Sequence, residues 1–261
     1  MKPNHPRCHA INWILVGLFC GLICWSNTGF AQQNKTSGWP QFLGPNRNGI
    51  STETGLLDTW PDSGPPEVWR TRIGGGMSGV AISEGRLYTL VQKTGQQLAI
   101  ALDAKTGKSI WETPVSDAYR NSMGDGPRAT PTVSGDRLFV FTGEGKLAAL
   151  KTQDGKILWS HDVVKGQGSD RPAEYGMACS PLVVEDLVIV TAGAAKATVV
   201  AYDTMTGKLK WTAGRDQPAG YSSPALLTVG GKMQVVVFYG TAAAGLDPQT
   251  GKALWRYAYE T

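Results

Sequence analysis

The chain has 261 residues, and its 25 basic and 21 acidic residues give a net charge of +4. This near-neutral balance, without a basic run or a basic helix, argues against a nucleic-acid-binding protein. Because two of the three histidines, His5 and His9, lie near the N-terminus, a His-rich metal site is excluded. A Ser-His-Asp triad would have to use His161, which we expect to be solvated at a strand end.

The N-terminal segment predicts export. Lys2 and Arg7 precede an apolar run over residues 11–23, and Gly29-Phe30-Ala31 follows as a small-x-small cleavage signature. This order is typical of a secretory signal peptide, which we assign to residues 1–31, and it predicts a protein of the periplasm or cell envelope. The apolar run is shorter than the roughly 20 residues of a membrane span, so no span is expected after removal of the signal. An uncleaved anchor is the alternative.

The cysteines point to neither lipidation nor catalysis. Cys20 and Cys24 follow large residues, Phe19 and Ile23, where lipoprotein processing needs small ones, so a lipid anchor is not expected. Removal of the signal leaves Cys179 as a single thiol. It stands among small residues of a predicted inner strand, where we expect an inert packing role.

Residues 32–66 are polar and rich in Gly, Pro and Asn, which predicts an N-terminal arm or linker lying on the body of the protein. Residues 67–71, which include Trp69, have the pattern of a final repeat strand without the three strands before it. The repeats themselves occupy residues 67–261.

One sequence motif of 11 residues, which ends in a tryptophan and which we call the phrase, occurs four times. Its copies are residues 101–111, 149–159, 201–211 and 245–255. Its turn glycines are 48, 52 and 44 residues apart, a period that fits a four-stranded propeller blade. Each period contains four short β-rich runs, which in the second period are residues 130–133, 137–142, 146–150 and 156–160, and no helix is expected between them. The sequence predicts an all-β propeller of four-stranded antiparallel blades.

The phrase combines a turn with a large apolar residue. Asp103 and its counterparts are expected to accept backbone N–H bonds across the turn, and Lys151 replaces this Asp in the second copy. Neighbouring blades of a propeller need large apolar side chains between them. We therefore interpret the tryptophan that ends each copy, together with the tryptophan of residues 67–71, as a blade-docking residue. These residues are Trp69, Trp111, Trp159, Trp211 and Trp255.

The predicted first strands carry only small residues at two adjacent positions, as expected where strands converge on a central axis. The loops that lead into these strands differ between copies and should surround one mouth of the channel, where binding is expected. The candidate ligand-binding residues in these loops are Tyr119, Asp125, Arg128, Glu174, Tyr175 and Tyr221. The alternative is structural, with Arg128 and Glu174 paired between blades and the tyrosines packed on the rim.

Four repeats and one orphan strand are fewer than the seven or eight blades expected for a ring of this repeat type, so we expect an incomplete ring from the N-terminal part of a longer protein. Closure of four blades, or assembly from several chains, is the alternative.

The pattern Ala-Leu-Asp-x-x-Thr-Gly-Lys-x-x-Trp, nearly whole at residues 101–111, resembles the pyrroloquinoline quinone (PQQ) propeller repeat. Two kinds of protein share it: quinoprotein alcohol dehydrogenases and the cofactor-free family that includes BamB, a scaffold of outer-membrane assembly. Residues 39–49, followed by Gly126-Pro127-Arg128-Ala129-Thr130-Pro131, resemble exported BamB-like proteins.

The resemblance to the dehydrogenases implies PQQ held by two adjacent cysteines and a Trp, beside Ca²⁺ and a catalytic Asp. The chain has no adjacent cysteine pair, and no catalytic or metal-binding residue can be assigned. We therefore expect an exported, non-enzymatic propeller without a cofactor that binds a protein or polysaccharide partner. The alternatives are part of a PQQ- and Ca²⁺-dependent dehydrogenase and a carbohydrate-binding propeller.

Overall fold

The computed structural model describes residues 38–259, so the predicted signal peptide at residues 1–31 lies outside the described range. Four antiparallel sheets and one helical turn, α1 (Val163–Gly166), make up the regular structure of this range. No helix within residues 38–259 is long and apolar enough to cross a membrane. The helical turn corrects the expectation that no helix interrupts the repeats; Asp162 caps it by accepting a bond from Lys165 N at 3.1 Å.

The four sheets are consecutive in the chain. The first contains β1 (Gly38–Trp39), β2 (Ala81–Ser83), β3 (Arg86–Lys93), β4 (Gln96–Asp103) and β5 (Ser109–Asp117). The second contains β6 (Thr132–Ser134), β7 (Arg137–Phe141), β8 (Lys146–Lys151) and β9 (Ile157–Asp162). The third contains β10 (Leu182–Val184), β11 (Leu187–Thr191), β12 (Val199–Asp203) and β13 (Leu209–Ala213). The fourth contains β14 (Ala225–Val229), β15 (Lys232–Tyr239), β16 (Ala242–Leu246) and β17 (Ala253–Ala258). The predicted propeller of four-stranded antiparallel blades is confirmed, with β1 as a fifth strand of the first blade.

Apolar side chains between consecutive blades form the core. Tyr88 and Leu90 of the first blade pack with Leu138 and Val140 of the second. Similar clusters join the second blade to the third and the third to the fourth. The inner strands β2, β6, β10 and β14 contact one another in that order and so surround the axis.

The turn of the repeated phrase is held by its own carboxylate. One oxygen of Asp103 accepts bonds from Lys105 N at 3.1 Å and from Thr106 N at 2.8 Å, as predicted. The same arrangement occurs around Asp203 and Asp247. In the second copy, where Lys151 replaces the Asp, Asp154 instead accepts a bond from Lys156 N at 3.0 Å.

The tryptophan of one blade lies on the phrase turn of the next. The indole of Trp111 donates to Thr152 O at 3.0 Å, three residues before Gly155. Gly155 has a φ of +72°, and a Cβ added to it would lie 2.6 Å from the Trp111 ring. This position therefore requires glycine both for its backbone conformation and for the close approach of the indole. Trp159 and Trp211 make the equivalent bonds to Thr204 O and Pro248 O.

Residues 67–71 form no strand, contrary to the sequence prediction, because no described strand lies beside them to pair with. Trp69 nevertheless lies on the phrase turn of the first blade and donates to Ala104 O at 3.0 Å. Ile73 packs on the same blade against Val91, Leu98 and Ile100. This segment therefore covers the face of the first blade that points away from the second.

Candidate functional site

The axis is lined by the predicted small residues, and the structure gives their hydroxyls a second role. Thr130 N donates to the Ser180 hydroxyl at 3.0 Å, and Ser180 N donates to the Ser223 hydroxyl at 2.9 Å. Each bond joins equivalent positions of adjacent blades. Sequence reasoning identified only the small size of these residues, although the recurring hydroxyl was visible in three of the four copies.

The N-terminal arm enters this axial region. β1 pairs with β2, and Val133 N of the second blade donates to Pro40 O at 2.8 Å. Arg47 reaches the third blade, where its guanidinium donates to Ser180 O at 3.2 Å and to Pro181 O at 3.1 Å. Burial lowers the pKa of Arg47 to about 10, which leaves the side chain cationic at neutral pH. The arm thus joins the inner strands of three blades.

A cleft of about 530 Å³ opens at the mouth of the axis. Two of the six candidate binding residues, Arg128 and Tyr221, line it directly. The remaining lining residues are Phe42, Met77, Gly79, Thr130, Ala178, Ser180, Ser222 and Ser223. The predicted loops and the arm therefore meet at one site.

Arg128 makes its hydrogen bonds within its own loop. Its guanidinium donates to Gly124 O at 2.6 Å and to Gly126 O, and it stands 4.7 Å from the ring centre of Tyr119. The expected structural pairing of Arg128 with Glu174 is not formed, because these backbone carbonyls take its donors. Asn121 joins the two loops instead, donating to Glu174 O at 2.8 Å.

Asp125 has a local role as well. It accepts a bond from Asn121 N at 3.1 Å and lies 3.9 Å from the Arg120 guanidinium, with both side chains largely exposed. Such an exposed pair adds little stability, so the carboxylate mainly shapes its own loop.

Tyr175 and Tyr221 come together on the rim of the cleft. Their ring centres are 5.7 Å apart, and Tyr175 N donates to the Tyr221 hydroxyl at 3.3 Å. They are 41% and 47% exposed. The exposed Met77 lines the same cleft as Tyr221, and the exposed Met123 precedes Gly124, where an added Cβ would lie 3.3 Å from the Met77 side chain. We call Met77, Met123, Tyr175 and Tyr221 the rim patch.

The donors for a bound quinone and Ca²⁺ are not assembled within residues 38–259. No group of three or more His, Cys, Asp or Glu side chains in this range could hold a metal ion, whereas Ca²⁺ takes six to eight oxygen ligands. Cys179 is buried and accepts a bond from Thr191 N at 3.3 Å, and burial raises the pKa of its thiol. The residues described here do not fit the dehydrogenase cofactors.

His161 differs from the prediction of a solvated residue. Its ring stacks on Tyr202 of the next blade with centres 4.8 Å apart, and its Nε2 lies 2.7 Å from Gly207 O. The side chain is only partly exposed because it packs beside Trp159 in the interface between the second and third blades.

Comparison with known proteins decides the family. A family model described as outer membrane protein assembly factor BamB matches residues 61–126 and 117–261. The chain belongs to this BamB family of PQQ-like repeat proteins. The resemblance seen in the repeated phrase is thereby confirmed.

Individual relatives are of both expected kinds. BamB of Yersinia pestis is 30% identical over 193 residues, which cover 70% of this chain and 43% of that protein. Quinohemoprotein alcohol dehydrogenase ADH IIB of Pseudomonas putida is 34% identical over 153 residues, or 55% of this chain and 21% of the relative. The chain thus spans less than half the length of either relative.

Solved structures support the fold. A europium-containing methanol dehydrogenase superposes with a TM-score of 0.53 at 19% identity, covering 69% of this chain and 41% of that one. A quinohemoprotein alcohol dehydrogenase from Comamonas testosteroni gives a TM-score of 0.51 at 20% identity, covering 70% and 35%. At such identities the likeness concerns architecture alone.

Proposed function

We propose that this BamB-family chain is an exported, non-enzymatic scaffold that binds a polypeptide partner at the rim patch and acts in the assembly of outer-membrane proteins. The observation that carries the proposal is the exposure of the two tyrosines and two methionines of the rim patch, of which Met77 and Tyr221 line the cleft. Tyr and Met are enriched in protein interfaces, where they supply apolar contact area together with adaptable or polar groups.

The rim patch is held in place before any partner arrives. Tyr175 is tied to Tyr221, Asn121 joins the two loops, and Arg128 fixes its own loop through backbone carbonyls. A preorganised surface loses less conformational freedom on association, which favours binding. The arm already occupies part of the axis, so the accessible surface is the rim rather than a deep channel.

In-cell photo-crosslinking tests the proposal with the full-length protein. A photoreactive phenylalanine analogue replaces Tyr175 or Tyr221, and a matched control carries it at Met205, which is 60% exposed in the turn between β12 and β13, at the opposite end of the blade. We expect one defined polypeptide to be crosslinked from positions 175 and 221 and not from 205. Equal crosslinking from all three positions, or none from the rim, would contradict the proposal.

A second candidate is part of a PQQ-dependent alcohol dehydrogenase, favoured by the 34% identity to quinohemoprotein alcohol dehydrogenase ADH IIB. Purified full-length protein with added PQQ and Ca²⁺ is assayed for quinone absorbance and dye-linked alcohol oxidation. Turnover would assign the dehydrogenase and overturn the scaffold proposal. A glycan array addresses the carbohydrate-binding alternative in the same way.

A further inference from the structure

One repeat position differs sharply between the blade interfaces. The residue four places after the docking tryptophan is Val115 in the first blade and Val163 in the second, 6% and 0% exposed, and each belongs to the apolar cluster that faces the next blade. In the third blade this residue is Arg215, and it is exposed. The apolar filling of two interfaces is therefore replaced by a charged side chain in the third.

A cavity lies at the position from which the valine is missing. It measures about 300 Å³ and lies between the third and fourth blades. Val199, Val237 and Leu246 contribute apolar walls, and Arg215 and Arg256 lie at its exposed edge. A volume of about 300 Å³ is at the lower end of the range for small-molecule sites.

The two arginines at the mouth of the cavity are available to bind an anion. Among residues 38–259, neither Arg215 nor Arg256 has an acidic side chain within ion-pair distance, and the guanidinium of Arg256 makes only a 3.5 Å contact with the Thr241 hydroxyl. Asp216, the next residue in the chain, is exposed and forms no ion pair with another residue of the 38–259 range.

We propose that this cavity binds a medium-chain carboxylate, with the head group at Arg215 and Arg256 and the tail along the apolar walls. Octanoate, which carries one carboxylate on a seven-carbon tail, represents this class of ligand. The site is separate from the rim patch, so its test does not depend on the proposed scaffold function.

Calorimetric titration of the full-length protein with octanoate, octanol and acetate separates the contributions of charge and tail. We expect octanoate to bind at least tenfold more tightly than octanol or acetate. The variant Arg215→Val restores the residue found in the other two interfaces, and it should abolish octanoate binding while raising the melting temperature. Equal affinities for octanoate and octanol, or unchanged octanoate binding by Arg215→Val, would overturn the proposal.

Discussion

The first and fourth blades have equivalent residues on the face that each turns away from the preceding part of the chain. The surroundings of these residues differ between the two blades. On the first blade, Leu90 is 2% exposed and Trp111 is 9% exposed, because the second blade covers them. On the fourth blade, no described residue covers the equivalent face: Phe238 is 38% exposed, and Tyr257 and Tyr259 are exposed beside it.

The tryptophans respond to this difference. The indole of Trp111 donates to Thr152 O on the next blade, whereas that of Trp255 donates to the Gln234 side chain within its own sheet at 2.7 Å. The turn half of the phrase is the same in both blades. The turn is therefore a local structure, whereas docking by the tryptophan needs the turn of a neighbouring blade.

The largest expected effect is on the tryptophan itself. Trp111→Ala should lower the free energy of unfolding by about 3–5 kcal/mol, because it empties a packed interface, whereas Trp255→Ala should lower it by about 1 kcal/mol. Urea unfolding followed by circular dichroism measures both variants. Equal losses would show that the two faces are equivalent in solution and would contradict the prediction.

The receiving turn gives the next effect. Gly155→Ala places a Cβ 2.6 Å from the Trp111 ring, whereas Gly135, also at positive φ, has open space around it. We expect Gly135→Ala to lower the free energy of unfolding by about 1–2 kcal/mol through backbone strain, and Gly155→Ala to lower it by roughly twice as much. The same urea titration tests this pair, and a smaller loss for Gly155→Ala would contradict the packing argument.

The parts of the fold that the sequence predicted are those set by local chemistry. The Asp103 turn, the left-handed Gly155 and the short strands follow from residues close together in the chain, so four copies of one phrase were enough to identify them. The candidate loops precede the inner strands, as the repeat pattern indicated, and their role in binding stays a prediction.

The missed features depend on contacts between distant residues. Arg47 reaches carbonyls 133 and 134 residues away, and no local pattern marks it as an axial residue. His161 became part of an interface through Tyr202 of the next blade. The change from valine to Arg215 was visible in an alignment of the repeats, but its consequence, a cavity, depends on how two blades pack.

The smallest effect tests whether the turn is as local as the comparison implies. Hydrogen bonds from the Thr106 hydroxyl and amide hold the pKa of Asp103 below its usual value of 3.8, and the Thr250 hydroxyl and amide do the same for Asp247. A carboxylate whose pKa is lower in the folded state contributes stability that is present above the unfolded pKa and is lost as the pH falls through the folded one. The wild type should therefore lose stability between about pH 4 and pH 2, where Asp203, with a pKa of about 2, contributes as well.

Asp103→Asn and Asp247→Asn should each remove a similar part of this loss in urea titrations at the two pH values. Because both carboxylates are exposed turn residues, the covered and uncovered blades should respond alike. A clear difference between the two variants would show that the phrase turn, like the tryptophan, depends on its neighbouring blade.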